Sequence, residues 1–106
     1  MTSPLRVDNP FTLGLACEVP LAEWDAIDRT LSAAREGAKL AEATPLAQRK
    51  ALVERAVAHM EAQSESIALA ISRMMGKPLA QAAGELRTLA SRARTMVELA
   101  DRGLAP

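Results

Sequence analysis

The chain has 106 residues, of which 13 are basic and 13 acidic, so its formal net charge is zero. That length fits one small domain, and the even balance of charge gives no electrostatic reason to expect nucleic acid or an anionic membrane as a partner. Hydrophobic residues make up 49% of the sequence, which excludes a disordered tail.

The apolar content is of an unusual kind. There are one Phe, one Trp and no Tyr, against 22 Ala. Ala-lined contacts bury little area, so a core made of them stabilises weakly and is expected to be marginal in isolation. One cysteine, Cys17, excludes an intramolecular disulfide and favours a reducing compartment. No segment has the length and apolarity of a signal peptide or of a membrane span. A soluble, cytoplasmic protein is the expectation.

Residues 1–20 read as strands. Leu5, Val7, Leu13, Leu15, Cys17 and Val19 recur mostly at two-residue spacing, with Asn9-Pro10 and Gly14 as turn residues. That pattern predicts a β-hairpin, which is barely stable alone and needs a layer beside it.

Residues 21–106 read as helical. The first helix is predicted from Ala22 to Ala38, with Ile27, Leu31, Ala34 and Ala38 on one face and Trp24 near its start. Gly37 serves as its end signal, and Ala41 to Ala43 as a link. Thr44 suits the N-cap of a second helix and Pro45 its first position. Leu52, Val53, Ala56, Val57 and Met60 form its apolar face. Gln63 and Ser64 leave open whether that helix breaks. Ile67, Ala70, Ile71 and Met74 mark a third segment, ended by Gly76 before Pro78. The fourth helix carries the clearest stripe: Leu79, Ala82, Ala83, Leu86, Ala90, Ala93, Val97 and Ala100, fading at Gly103. The fold class is therefore mostly α, a β-hairpin followed by about four amphipathic helices.

No catalytic, cofactor-binding or metal-binding residue is assigned. Cys17 lies in a predicted strand, away from the lone His59, so the thiol has no base to activate it. One His and one Cys do not make a zinc site. Gly76-Lys77-Pro78 lacks the longer glycine run and the Ser or Thr of a phosphate loop, and reads as a helix-to-helix turn. No GxGxxG occurs. Arg73, Lys77, Arg87, Arg92 and Arg94 are diluted by Glu85, Glu98 and Asp101 and have no aromatic residues between them. Met74 and Met75 read as packing residues at a helix end.

The order of these local signals resembles the N-terminal segment of the aldehyde dehydrogenase superfamily. Val7-Asp8-Asn9-Pro10-Phe11-Thr12 followed by Cys17-Glu18-Val19-Pro20 is similar to its opening strands. Ala26-Ile27-Asp28-Arg29 and Ala33-Ala34-Arg35 resemble its first helix, and Ala43-Thr44-Pro45-Leu46-Ala47-Gln48-Arg49 the start of its second. Met75-Gly76-Lys77-Pro78-Leu79-Ala80-Gln81-Ala82-Ala83-Gly84-Glu85 is the most specific piece, and resembles a run found in semialdehyde dehydrogenases. The likeness runs from about Val7 to Pro106. Three departures stand out. Leu13 occupies the place of the turn glycine, Ala38 and Ala41 replace Phe and Trp anchors, and Glu23 replaces a Ser or Thr cap.

The resemblance implies the start of a cofactor-binding domain packed beside a Rossmann-like sheet. It implies a parent enzyme that oxidises aldehydes to carboxylates with NAD or NADP, through a cysteine thiohemiacetal and a water-activating glutamate. Those groups lie downstream in the family and have no counterpart here, so no cofactor is expected for this chain alone. The leading expectation is an inactive N-terminal fragment whose partner is the remainder of a dehydrogenase, possessed of neither a nucleic-acid nor a membrane partner. The alternative is a stand-alone helical interaction or self-association module. A third reading makes it a piece that complements a separately encoded remainder.

Overall fold

The computed structural model describes residues 3–104; Met1, Thr2 and the last two residues of the expected helical segment lie outside them. The order is β1 (Leu5–Asp8), β2 (Leu15–Val19), α1 (Trp24–Ala43), α2 (Leu46–Ala62), α3 (Ser64–Met75) and α4 (Leu79–Gly103). This is the predicted architecture of a hairpin followed by four helices.

The two strands pair antiparallel, Leu5 opposite Val19 and Val7 opposite Cys17, and a bulge between Val7 and Asp8 brings Asp8 opposite Leu15. Asn9 builds the turn. Its side-chain oxygen accepts the Phe11 and Thr12 amides at 2.9 and 3.3 Å, and its backbone closes the loop to Leu13 and Gly14. The left-handed turn position falls on Leu13, at φ 60°, while Gly14 beside it has an ordinary φ. A non-glycine residue held there costs about 1–2 kcal/mol. Leu13 is 83% exposed, so its side chain contributes little packing. Leu13→Gly is therefore expected to stabilise the chain by up to about 1 kcal/mol, net of the extra chain entropy of glycine, which a rise in melting temperature would report. Gly14→Ala should leave the melting temperature nearly unchanged.

α1 departs from expectation at both ends of its length. Gly37 does not end it; the helix continues to Ala43. One glycine costs about 1 kcal/mol inside a helix, which is too little to stop a run this long. Pro45 stops it instead, because the residue before a proline avoids the α region, and Thr44 is accordingly extended at φ −80°, ψ 126°. Thr44 does not cap α2 either. Its hydroxyl donates back to the Leu40 carbonyl at 2.7 Å, and Pro45 takes the N-cap place. The α1 N-cap, Glu23, makes no side-chain capping bond. None of the α1 residues is buried, and Trp24 is 80% exposed.

The helices α2, α3 and α4 form the body, with α4 lying against both of the others. Gln63, at φ −107° and ψ 15°, separates α2 from α3. Gly76 ends α3 in the left-handed conformation, φ 71°, and its amide donates to the Ser72 carbonyl. The buried hydrophobic core among the described residues is Val57, Ala68, Ala82, Leu86 and Ala90. Three of those five are alanines. Small side chains let α3 and α4 approach closely, but they leave little area to bury.

Candidate docking faces

A chain of 11.3 kDa is expected to expose roughly 5,700 Å² when folded as a compact monomer. This one exposes 8444 Å². Its radius of gyration is 18.0 Å, against about 13 Å for a compact domain of this length, and it is only 20 Å thick in its shortest dimension. The additional surface is apolar to a large degree. Phe11, Leu31, Leu40, Leu52, Val53, Leu69, Met75, Leu89 and Met96 all stand exposed. Single exposed apolar residues are ordinary, but contiguous ones mark surfaces that another structure covers.

Three hollows organise this surface. Ile67, Ala70, Ile71, Met74 and Met75 line one of about 410 Å³ along α3. A trough of about 800 Å³ runs along α4 past Gly84, Leu89, Ala93 and Met96. A smaller cleft of about 210 Å³ lies between α2 and α4, lined by Leu46, Val53, Val97 and Ala100 with Arg49 and Lys50. The stripe on α4 that the sequence marked is thus shared. Ala82, Leu86 and Ala90 are buried in the body, whereas Ala93, Val97 and Ala100 border the cleft.

Ion pairs frame these faces and fix α4 to its neighbours. Arg94 on α4 forks onto Glu61 on α2, at 3.0 and 2.6 Å, with Glu54 at 3.9 Å. Lys50 reaches Asp101 at 2.6 Å. Lys77 in the α3–α4 turn pairs with Glu85. The hydrogen bonds from Arg94 hold the Glu61 carboxyl below its ordinary value of 4.5; desolvation opposes them in part and the Arg94 charge adds to them. A carboxylate whose pKa is depressed by folding stabilises above its unfolded value, and that contribution is lost as pH falls through the folded one. The pair is largely solvated and its contribution small. Glu61→Gln is expected to flatten the decline of melting temperature below about pH 4.5 and to change little at neutral pH.

The residues that the sequence singled out for chemistry lie on separate elements. Cys17 is half-buried in β2. His59 is exposed on α2, its Nε2 2.6 Å from Gln63 Nε2. Among the described residues no three His, Cys, Asp or Glu side chains gather to hold a metal, and no helix is long and apolar enough to cross a membrane. Gly76-Lys77-Pro78 is the turn that was expected, and it does not fit a dinucleotide phosphate. Lys77, the cation of that turn, is already neutralised by Glu85, and the single Gly76 gives no Gly-rich loop with which the backbone could cradle a phosphate. The sheet is a two-stranded antiparallel ribbon, not the parallel one on which dinucleotides bind. Sequence reasoning did not find the Arg94–Glu61 and Lys50–Asp101 links. The paired residues lie 33 and 51 positions apart, and no local pattern announces them.

Comparison with known proteins agrees with this layout. Over 100 residues the chain is 29% identical to an aldehyde-dehydrogenase-like protein of Sinorhizobium fredii (strain NBRC 101917 / NGR234), a match that covers 94% of this chain and 20% of that protein. The chain thus spans about a fifth of the length of that relative. The model of the aldehyde dehydrogenase family matches residues 2–105. The chain belongs to the aldehyde dehydrogenase family, as its N-terminal segment.

Proposed function

We propose that this chain is the hairpin and helical layer of an aldehyde-oxidising, NAD(P)-dependent enzyme of the cytoplasm. A larger remainder of that enzyme covers its apolar faces. The observation that carries this reading is the surface of 8444 Å², roughly half as much again as a compact chain of this mass exposes. An excess of that size is in the range that obligate interfaces bury. In this role the chain contributes scaffold, and the remainder contributes the catalytic cysteine, the water-activating glutamate and the cofactor site. By itself the chain neither oxidises aldehydes nor holds NAD(P).

Two experiments test this. The DNA after codon 106 should continue, in frame or after a frameshift, toward the Pro-Trp-Asn-x-Pro motif of the family. The purified chain, mixed with aldehydes and NAD or NADP, should give no reduced nicotinamide absorbance; reduction above background would refute the scaffold reading. Sedimentation with circular dichroism adds a structural check. A chain that aggregates, or that melts as a weakly stable monomer, agrees with a layer that lacks its cover. A cooperatively melting oligomer of fixed size would instead identify a self-association module.

A further inference from the structure

α1 gives nothing to the core: none of its residues is buried, and it borders none of the three hollows described above. Yet it carries an apolar seam. Trp24, Ile27, Leu31, Ala34, Ala38 and Ala41 recur at alternating steps of three and four, the spacing by which two helices lie along one another. Trp24 is 80% exposed and Leu31 53%, and Ala34, Ala38 and Ala41 are exposed as well. The seam is graded in size. Its N-terminal half holds Trp, Ile and Leu, and its C-terminal half holds alanines alone.

An antiparallel second copy matches this grading. With the two-fold axis midway between Leu31 and Ala34, Ile27 lies opposite Ala38 of the second copy, and Trp24 lies over its Ala38 and Ala41. Each large side chain then meets small ones, in both directions. A parallel pair would set Trp24 on Trp24 and alanine on alanine, crowded at one end and hollow at the other. Charge selects the same arrangement. Asp28 and Arg35 border the seam on one flank, two turns apart, and neither has a partner among the described residues. The antiparallel register brings Asp28 beside Arg35 of the second copy, and the symmetry repeats that pair. A parallel pair would instead set Asp28 by the acidic Glu23 and Arg35 by Thr30.

We propose that α1 is a self-pairing face, along which two copies of this chain meet, antiparallel and two-fold symmetric. The helix is about 30 Å long and about 10 Å wide, so two such strips cover less than the roughly 1,000 Å² of a stable interface. The pairing is therefore weak and reversible. The inference goes beyond the docking reading and uses a face apart from the three hollows, which stay open to the remainder of the enzyme. A reversible pair on α1 adds nothing to the sparse core of the body, so it differs from a cooperatively melting oligomer of fixed size.

Sedimentation and the emission of Trp24, the only tryptophan of the chain, follow the pairing. The chain should be monomeric at about 10 µM and mostly dimeric at about 1 mM, with the emission moving to the blue as Trp24 leaves water. Asp28→Arg and Arg35→Asp should each weaken the dimer at least about tenfold, because two ion pairs become two repulsions. Mixed in equal amounts, these two variants should pair again, since each then offers the charge that the other needs. A disulfide reports the register. In a Cys17→Ser background, Ala34→Cys should give a covalent dimer under mild oxidation, because Ala34 lies beside the two-fold axis. Arg29→Cys, exposed on the opposite side of α1, should not.

A chain that stays monomeric at about 1 mM would overturn the pairing and leave α1 to be covered by the remainder of the enzyme. Equal cross-linking of Ala34→Cys and Arg29→Cys, the mark of unspecific aggregation, would overturn it too. So would a mixture of the charge variants that fails to pair. None of these results bears on the docking reading, which is tested by the downstream DNA and by the absence of NAD(P) reduction.

Discussion

Leu86→Ala is expected to abolish cooperative unfolding of the isolated chain. Leu86 is 6% exposed and sits on α4 with buried Ala82 one turn before it and Ala90 one turn after. Truncating a buried leucine to alanine costs about 2–5 kcal/mol, through lost transfer energy and the cavity left behind. A typical domain has about 5–15 kcal/mol in total, and this one draws on a core of Val57, Ala68, Ala82, Leu86 and Ala90. Leu86 is the largest side chain in that set, and the rest are three alanines and one valine, so no neighbour is large enough to fill the hole. Denaturant titration followed by circular dichroism checks this: the sigmoidal transition should give way to a gradual loss of helix. Leu52→Ala is the control. Leu52 is about half exposed, and its loss should shift the midpoint only slightly. If both variants unfold alike, the core does not lie where the structure places it.

The contrast between those two leucines also shows how far the sequence could be read. Both lie on apolar stripes of helical period, and periodicity identifies which face of a helix is apolar. It does not say what covers that face. On α4 the stripe was read correctly at Ala82, Leu86 and Ala90, which α2 and α3 of the same chain cover, whereas Leu79 at its start is exposed. On α2 the same kind of stripe leaves Leu52 and Val53 exposed. On α1 it buries nothing, and Ala38 and Ala41, where the resemblance places large anchors, are exposed. Local signals with a steric cause were legible: Gly76 as a helix end, Asn9-Pro10 as a turn. Signals that compete were misjudged. Gly37 is a weak breaker set inside strong helix formers, and Pro45, eight positions on, decides the boundary. Ala68 went unnoticed because it falls outside the spacing of Ile67, Ala70, Ile71 and Met74, although it is among the most buried of the described residues. The docking faces themselves were legible only as a deficit, too few large side chains for the length. Their position needed the fold.

Gly76→Ala is expected to loosen the hairpin from the helical body at a cost of about 1–2 kcal/mol. Two separate causes act at this position. The backbone has φ 71°, a region in which a β-carbon meets the neighbouring carbonyl. A β-carbon here would also lie 3.2 Å from both Pro10 Cβ and Pro10 Cγ, tighter than ordinary van der Waals contact. Pro10 is in the hairpin turn and Gly76 at the end of α3, so this contact is one of the places where hairpin and body touch; β2 against α3 is another. The helices keep their own core, whereas a two-stranded ribbon has little stability once it loses its support. The loss should therefore be local. Amide exchange of β1 and β2 should speed up well before that of α4. Gly76→Asn separates the two causes. Asparagine tolerates the left-handed region better than alanine, but it brings the same β-carbon toward Pro10. It should recover part of the melting temperature while leaving the hairpin as exchange-prone as in Gly76→Ala. Gly103→Ala, with nothing within 4 Å of the added carbon, should leave both measurements unchanged. If Gly76→Asn restores hairpin protection in full, backbone strain alone governs the position and the Pro10 contact contributes nothing.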